Sequence, residues 1–80
     1  MDRNEIFETL RTELGGVLDV DPAEIVLDAH LGDTLEADSV DLIEVAGVLE
    51  QRWGITLEDR ELHDLQTVAD FVDLLATKVG

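Results

Sequence analysis

Apolar residues recur at helical spacing in three stretches of the chain. The pattern predicts a helix over about 3–18, a second over about 39–53, and a last helix that follows Thr67. The apolar positions of these stretches are Ile6, Phe7, Leu10, Leu14, Val17 and Leu18; Leu42, Val45, Ala46, Leu49 and Trp53; and Val68, Phe71, Val72, Leu75 and Val79. Gly54 is suited to end the second helix, and Thr67 is suited to cap the last one.

The segments between these helices are less periodic. Asp21-Pro22-Ala23-Glu24 has a capping residue and an early proline, which predicts a short helical turn. Beyond it, Leu27, Leu31 and Leu35 are expected to pin a long loop to the core, and loops of that length are often functional. Residues 58–64 fit a short extra helix. With no hairpin signal, we predict an all-α bundle of four helices with a long first loop and a short third helix.

The second helix has two apolar faces. The core positions form one stripe, and the opposite side mixes small or apolar residues with acids: Val40, Ile43 and Gly47 with Asp41, Glu44 and Glu50. Apolar side chains within a field of carboxylates indicate a docking surface for a partner with basic residues around an apolar patch. The same pattern also fits scattered surface aliphatics, or packing under the long loop.

Asp38-Ser39 stands at the head of this helix. Asp38 is a good N-cap and Asp41 is placed to complete a capping box, which would release the Ser39 hydroxyl from capping. A phosphate group is favoured at such a place, because free backbone N–H groups and the helix dipole stabilise anions. The alternative is that Ser39 is itself the cap and nothing more, and the spacing alone favours this interpretation because capping serines are common.

Net charge is the bulk property of the chain that says most about its partners. The 80 residues carry a formal net charge of −15, and eleven carboxylates lie between Arg11 and Arg52 without a single Lys or Arg. Such a surface repels nucleic acid and anionic membranes and attracts basic proteins, although a merely solubilising face fits as well. No apolar run is long enough to span a bilayer. We expect one soluble, cytoplasmic, monomeric domain over residues 1–80.

Several kinds of site are set aside. The chain has no cysteine, which removes disulfides and thiolate metal sites. A hydrolase would need Ser39 with His30 or His63 as base, but the glycine pattern of a nucleophile elbow is missing and so small a core leaves little room for a deep pocket. His30 with Asp28 and Asp33 could hold a metal, but a lone loop histidine is more often exposed without being a ligand. We therefore predict no catalytic residue, no metal site and no enzyme activity.

The run Leu35-Glu36-Ala37-Asp38-Ser39-Val40-Asp41, continued by Leu42-Ile43-Glu44-Val45, resembles the phosphopantetheine attachment motif of acyl carrier proteins. The similarity covers nearly the whole chain. Further matching segments are Val20-Asp21-Pro22-Ala23-Glu24-Ile25, Leu49-Glu50, Trp53-Gly54-Ile55 and Thr67-Val68. An Asp-Ser pair alone is weak, whereas the complete register in an acidic chain of this length is a strong indication.

The resemblance implies that Ser39 bears a covalent 4'-phosphopantetheine arm, transferred from coenzyme A by a phosphopantetheinyl transferase that uses magnesium. Acyl groups then ride on the arm as thioesters, served by ketosynthases, acyltransferases or other acyl-processing enzymes with basic docking surfaces. It also implies that the bundle can shelter the acyl chain. The partner-binding positions carried over or inferred from the helix face are Asp38, Val40, Asp41, Ile43, Glu44, Gly47 and Glu50.

The chain departs from the family pattern at four places. Glu36 replaces the usual glycine, Val40 a leucine, Gly47 a bulky apolar residue and Gln51 a frequent acid. The resemblance predicts a discrete acyl carrier for polyketide or fatty-acid biosynthesis. The departures at Glu36 and Gly47 favour a specialised pathway. A peptidyl or aminoacyl carrier of a nonribosomal-peptide-type pathway remains open as an alternative, as does an acidic adaptor that is never modified.

Overall fold

The computed structural model describes residues 1–79 and shows four helices joined by irregular segments. Helix α1 spans Arg3–Leu18, α2 Ser39–Trp53, α3 Asp59–His63 and α4 Val68–Val79, and a 3₁₀ turn lies at Pro22–Glu24. The predicted all-α, four-helix architecture with a long first connection and a short third helix is confirmed. Gly80, the last residue of the predicted domain, lies outside the described residues.

The ends of α1 follow from local hydrogen bonding. The Asp2 carboxylate accepts a bond from the Asn4 N–H (3.0 Å) and caps the first turn. Asp19 ends the helix in the left-handed conformation, with its N–H bonded to the Gly15 carbonyl. Gly15 is required by a close approach, because a Cβ there would lie 3.1 Å from both the Pro22 ring and the Val20 carbonyl oxygen. The chain can thus fold tightly back after α1.

One cluster of buried side chains draws on all four helices. Helix α1 packs against α2 and α4, and α3 packs against α2. The fully buried residues of the three long helices include Ile6, Leu10, Leu14, Val45, Leu49, Val68, Phe71, Val72 and Leu75. Burying a side chain of this size stabilises the fold by about 1.5–3 kcal/mol. The spacing of these residues along each helix therefore determines which faces of the helices pack together.

The long connection is anchored to the core, with one difference from the expectation. Leu31 and Leu35 are buried as predicted, but Leu27 is 43% exposed. The prediction for Leu27 was wrong because this residue lies in a β-turn closed by a bond from the Ala29 N–H to the Val26 carbonyl (3.0 Å), and turn side chains project outward. Ile25, which is completely buried, supplies the anchor instead.

Candidate functional site

The first turn of α2 carries the predicted capping box. The Asp38 Oδ1 accepts a hydrogen bond from the Asp41 N–H (2.9 Å), and the Asp41 Oδ2 accepts one from the Asp38 N–H (3.2 Å). Both carboxylates satisfy backbone donors that would otherwise face solvent, and a cap of this kind stabilises a helix by about 1 kcal/mol. Asp38, and not Ser39, is therefore the capping residue.

Ser39 is the first residue of α2 and is exposed. Its hydroxyl takes no part in the side-chain hydrogen bonds found among residues 1–79. The backbone N–H groups of Ser39 and Val40 also have no acceptor within that part of the chain. An accessible hydroxyl beside free N–H groups, at the positive end of a helix, suits a phosphodiester. The residues present thus fit the phosphate of a phosphopantetheine arm.

The segment that leads to Ser39 is held by backbone bonds. The His30 carbonyl accepts from the N–H groups of Thr34 and Leu35 (both 3.0 Å), and the Leu31 carbonyl accepts from Ala37 (2.8 Å). Leu31 is tied in turn to the start of α4 through its own N–H, which donates to the Gln66 carbonyl (2.8 Å). Because these bonds fix the loop, the position of Ser39 does not depend on α2 alone.

The structure places most of the predicted docking residues on the outer side of α2. Val40 is 69% exposed and Ile43 49% exposed, while Glu44 is exposed and Gly47 half-buried. Val48, which the sequence analysis did not single out, is 40% exposed as well. Its position one turn after Glu44 was the signal that could have identified it. These five residues are called the outer face of α2 below.

Glu50 is placed differently from these five. It is half-buried, and its Oε2 accepts a hydrogen bond from the Leu57 N–H (2.9 Å). The carboxylate thereby fixes the extended segment between α2 and α3. Sequence reasoning assigned Glu50 to partner binding and missed this contact, because the spacing of seven residues across a helix end has no local signature. Its role in partner binding stays a prediction.

A cavity of about 280 Å³ opens next to Ser39. Its apolar lining comes from the loop, α2, α3 and the segment before α4, through Leu31, Leu42, Ile43, Leu62 and Leu65. His30, Asp59 and His63 add polar groups. The His30 ring accepts a bond from the Asp33 N–H at Nδ1 (3.1 Å), which makes it part of the loop's own hydrogen bonding. The cavity is a half-open cleft and not the enclosed pocket of an enzyme.

Two acids fix α3, which lines the cavity, and the start of α4. A hydrogen bond from the Glu58 N–H, followed by the Lys78 ammonium, lowers the pKa of Glu61 below its usual range. The N–H groups of Thr67 and Gln66 lower the pKa of Asp70 in the same way. Glu61 fastens α3 to the last turn of α4, and Asp70 completes a reciprocal cap with the Thr67 hydroxyl. Thr67 therefore caps α4, as the sequence predicted.

Other kinds of site find little support in the described part of the chain. Residues 1–79 contain no group of three or more His, Asp or Glu side chains arranged to hold a metal ion. None of the helices within that range combines the length and the apolar character needed to cross a bilayer.

Comparison with known proteins identifies the family to which the chain is related. A family model described as "Phosphopantetheine attachment site" matches residues 8–75. The acyl carrier protein of Petrotoga mobilis is 38% identical over 80 residues, with 100% of this chain and 94% of that protein covered. The acyl carrier protein of Thermosynechococcus vestitus is 35% identical over 80 residues, with coverage of 100% and 99%.

A solved structure supports the fold. The solution structure of the apo doublet acyl carrier protein from prodigiosin biosynthesis superposes with a TM-score of 0.78 at 20% identity. The match covers 94% of this chain and 36% of that one. At so low an identity the likeness concerns the fold alone.

The sequence matches and the geometry of the first turn of α2 agree. The family model spans most of the chain, and two full-length relatives are more than 30% identical to it. The protein is a carrier and not an enzyme, and its cofactor is a covalently attached 4'-phosphopantetheine. This chain belongs to the acyl carrier protein family, which works with phosphopantetheinyl transferase and acyl-processing enzymes.

Proposed function

We propose that Ser39 is the residue that receives the phosphopantetheine arm, and that the chain carries acyl intermediates of polyketide or fatty-acid biosynthesis. The observation that carries this proposal is the free, exposed Ser39 hydroxyl at the first position of α2, beside an N-cap that is already supplied by Asp38. A specialised pathway is favoured over housekeeping fatty-acid synthesis by the chain's own residues at Glu36 and Gly47.

In the transfer step, the Ser39 Oγ is the group of this chain whose bonds change. The Ser39 Oγ attacks the phosphorus of coenzyme A that bears pantetheine, so that an Oγ–P bond forms and the P–O bond of the pyrophosphate breaks. Adenosine 3',5'-bisphosphate leaves, and a base of the transferase takes the serine proton. The free N–H groups of Ser39 and Val40 stabilise the charge on the phosphoryl oxygens. When attached, the arm supplies the thiol on which acyl groups are held as thioesters.

Two acids close to Ser39 oppose a new phosphate, but the opposition is small. Asp38 and Asp41 are solvent-exposed or half-buried, and each already accepts a backbone N–H bond. Two unit charges 4 Å apart in water repel by only about 1 kcal/mol. The capping box therefore positions Ser39 without preventing its modification.

The outer face of α2 fits an enzyme surface with basic residues around an apolar patch. Val40, Ile43 and Val48 expose apolar area, and Glu44 adds an accessible charge within it. Apolar contact supplies affinity, while opposite charges raise the rate of encounter and fix orientation. The cytoplasmic location and the monomeric state expected from the sequence stay predictions.

Intact-mass analysis tests the attachment site. The wild-type chain, incubated with coenzyme A, magnesium and a broad-specificity phosphopantetheinyl transferase, is expected to gain one phosphopantetheine mass. Ser39→Ala is expected to gain none while keeping the helical circular-dichroism spectrum, because the Asp38 cap remains. A mass gain in Ser39→Ala would move the attachment elsewhere, and no gain in the wild type would favour an unmodified acidic adaptor.

Loading assays then separate the pathways. We expect the holo-protein to accept malonyl or acyl groups from the corresponding transferases. Preferential loading with an aminoacyl group by an adenylating enzyme would replace the proposal with the peptidyl-carrier alternative.

A further inference from the structure

Two non-glycine residues of the described chain have a positive φ: Asp19 (57°) and Glu36 (58°). The left-handed conformation brings Cβ close to the following carbonyl and costs most residues stability. Asp19 has a structural reason, since it ends α1 with its N–H on the Gly15 carbonyl, and aspartate is among the residues that adopt this conformation most readily. Glu36 is longer and ends no helix. The presence of a glutamate at this positive φ calls for another explanation.

The neighbours of Glu36 impose its backbone shape. Leu35 is 8% exposed, and its N–H is bonded to the His30 carbonyl (3.0 Å). On the other side, the Ala37 N–H is bonded to the Leu31 carbonyl (2.8 Å). The chain has to turn between these two fixed points to bring Asp38 to the start of α2. Glycine adopts such a turn without strain, so a glutamate here lowers the stability of the fold.

The Glu36 side chain forms no polar contact within residues 1–79 that would offset this loss of stability. It is exposed, and it forms neither an ion pair nor a side-chain hydrogen bond with any residue of that range. The neighbouring acids differ. Asp38 and Asp41 are engaged in the capping box, and the Asp33 carboxylate lies 3.9 Å from the His30 ring. The Glu36 carboxylate, three residues before Ser39, is thus free to meet a cation from outside.

Strained backbone conformations cluster at functional sites, and the fold needs the turn at residue 36 but not the glutamate. We propose that Glu36 is a recognition residue for the phosphopantetheinyl transferase, whose basic side chain pairs with the Glu36 carboxylate on the loop side of Ser39. The inference rests on Ser39 as the attachment site. The transferase is the partner because its chemistry takes place at the Ser39 Oγ itself, so its surface must cover the loop as well as the outer face of α2. Enzymes that act on the far thiol end of the arm have no such requirement.

The test compares four proteins in arm transfer from coenzyme A at low ionic strength. Glu36→Gln removes the charge and is expected to raise KM for the carrier about three- to fivefold with little change in kcat, which is the range of an exposed ion pair. Glu36→Asp keeps the charge and is expected to keep the wild-type KM. Glu24→Gln removes one charge from the 3₁₀ turn of the same connection and is expected to leave KM unchanged.

Glu36→Gly adds a readout that separates recognition from structure. It is expected to raise the melting temperature by about 4 °C, because the left-handed strain is relieved, and to raise KM as Glu36→Gln does. The difference between Glu36→Gln and wild type is expected to vanish at high salt.

An unchanged KM in Glu36→Gln at low salt would overturn the inference while leaving Ser39 as the attachment site. A melting temperature of Glu36→Gly at or below that of the wild type would overturn its premise that the glutamate strains the fold. A wild-type chain that gains no arm would instead remove the proposed function itself.

Discussion

Helix α2 buries Leu42, Val45, Ala46 and Leu49 on one face and exposes Val40, Ile43 and Val48 on the other. Both sets are aliphatic, and a count of apolar residues cannot tell them apart. The buried set lies against α1 and α3 and lost its contact with water when the chain folded. The exposed set still contacts water and contributes little to the free energy of folding.

This difference separates what stabilises the fold from what is available to a partner. Burial of apolar area is the main favourable contribution to folding, and the inner face has already made that contribution. The outer face keeps its apolar area for a second burial event, against another protein. Substitutions on the inner face should therefore change stability first, and those on the outer face should change arm transfer first.

The largest effect is expected on the inner face. Leu49 is completely buried, and Leu49→Ala removes buried methyl groups and leaves a cavity. We expect the free energy of unfolding to fall by about 2–5 kcal/mol, measured by urea denaturation. Val40→Ala on the outer face is the matched control and should change it by less than about 0.5 kcal/mol. Equal losses in the two variants would mean that the two faces do not differ as described.

The second effect concerns arm transfer. Glu44→Lys reverses one exposed charge on the outer face, and we expect a loss of kcat/KM for phosphopantetheinyl transfer of about tenfold, the equivalent of about 1.4 kcal/mol. Glu44 is preferred over Asp41 because Asp41 also belongs to the capping box, so its replacement would weaken the helix as well.

Glu5→Lys is the control for this variant, because it makes the same charge change at an exposed residue of α1. It should leave the transfer rate near that of the wild type, and both variants should keep their helical circular-dichroism signal. A similar slowing in both would indicate that only the net charge of the protein matters, and would count against a specific docking face.

Much of α2 could be predicted from the sequence because its signals are local. Asp38 and Asp41 mark its start, Gly54 marks its end, and a period of 3.6 residues marks its inner face. The structure confirms each of these. The helix bounds and the free Ser39 hydroxyl followed from hydrogen bonds between residues no more than four positions apart.

The connection between α1 and α2 was harder to predict because its contacts are not local. The exposure of Leu27 depends on a β-turn in which Asp28 is the one typical turn residue, and the conformation of Glu36 depends on the bonds that its neighbours make to His30 and Leu31. The bond between Glu50 and Leu57 spans a helix end. Neither periodicity nor capping rules report on such contacts, so these features required the three-dimensional structure.

A substitution at Gly47 is expected to have a small effect on each of two properties, and to change stability and docking in opposite directions. Gly47 lies in the middle of α2, and a Cβ at this position would meet no atom within 4 Å. Gly47→Ala should therefore stabilise the protein by about 0.5–1 kcal/mol and raise the melting temperature by a few degrees. The same methyl group would project from the outer face, where we expect it to raise KM for arm transfer by disturbing the fit of the partner.

Gly16→Ala is the matched control for Gly47→Ala, because a Cβ at Gly16 also meets no atom within 4 Å but lies on α1. It should raise the melting temperature by a similar or smaller amount, since Gly16 is in the last turn, and leave KM as it was. If both variants were stabilised and neither changed KM, Gly47 would be a cost to the helix without a role in docking. If only Gly47→Ala changed KM, Gly47 would be a residue that weakens α2 but is needed for the fit of the partner on the outer face.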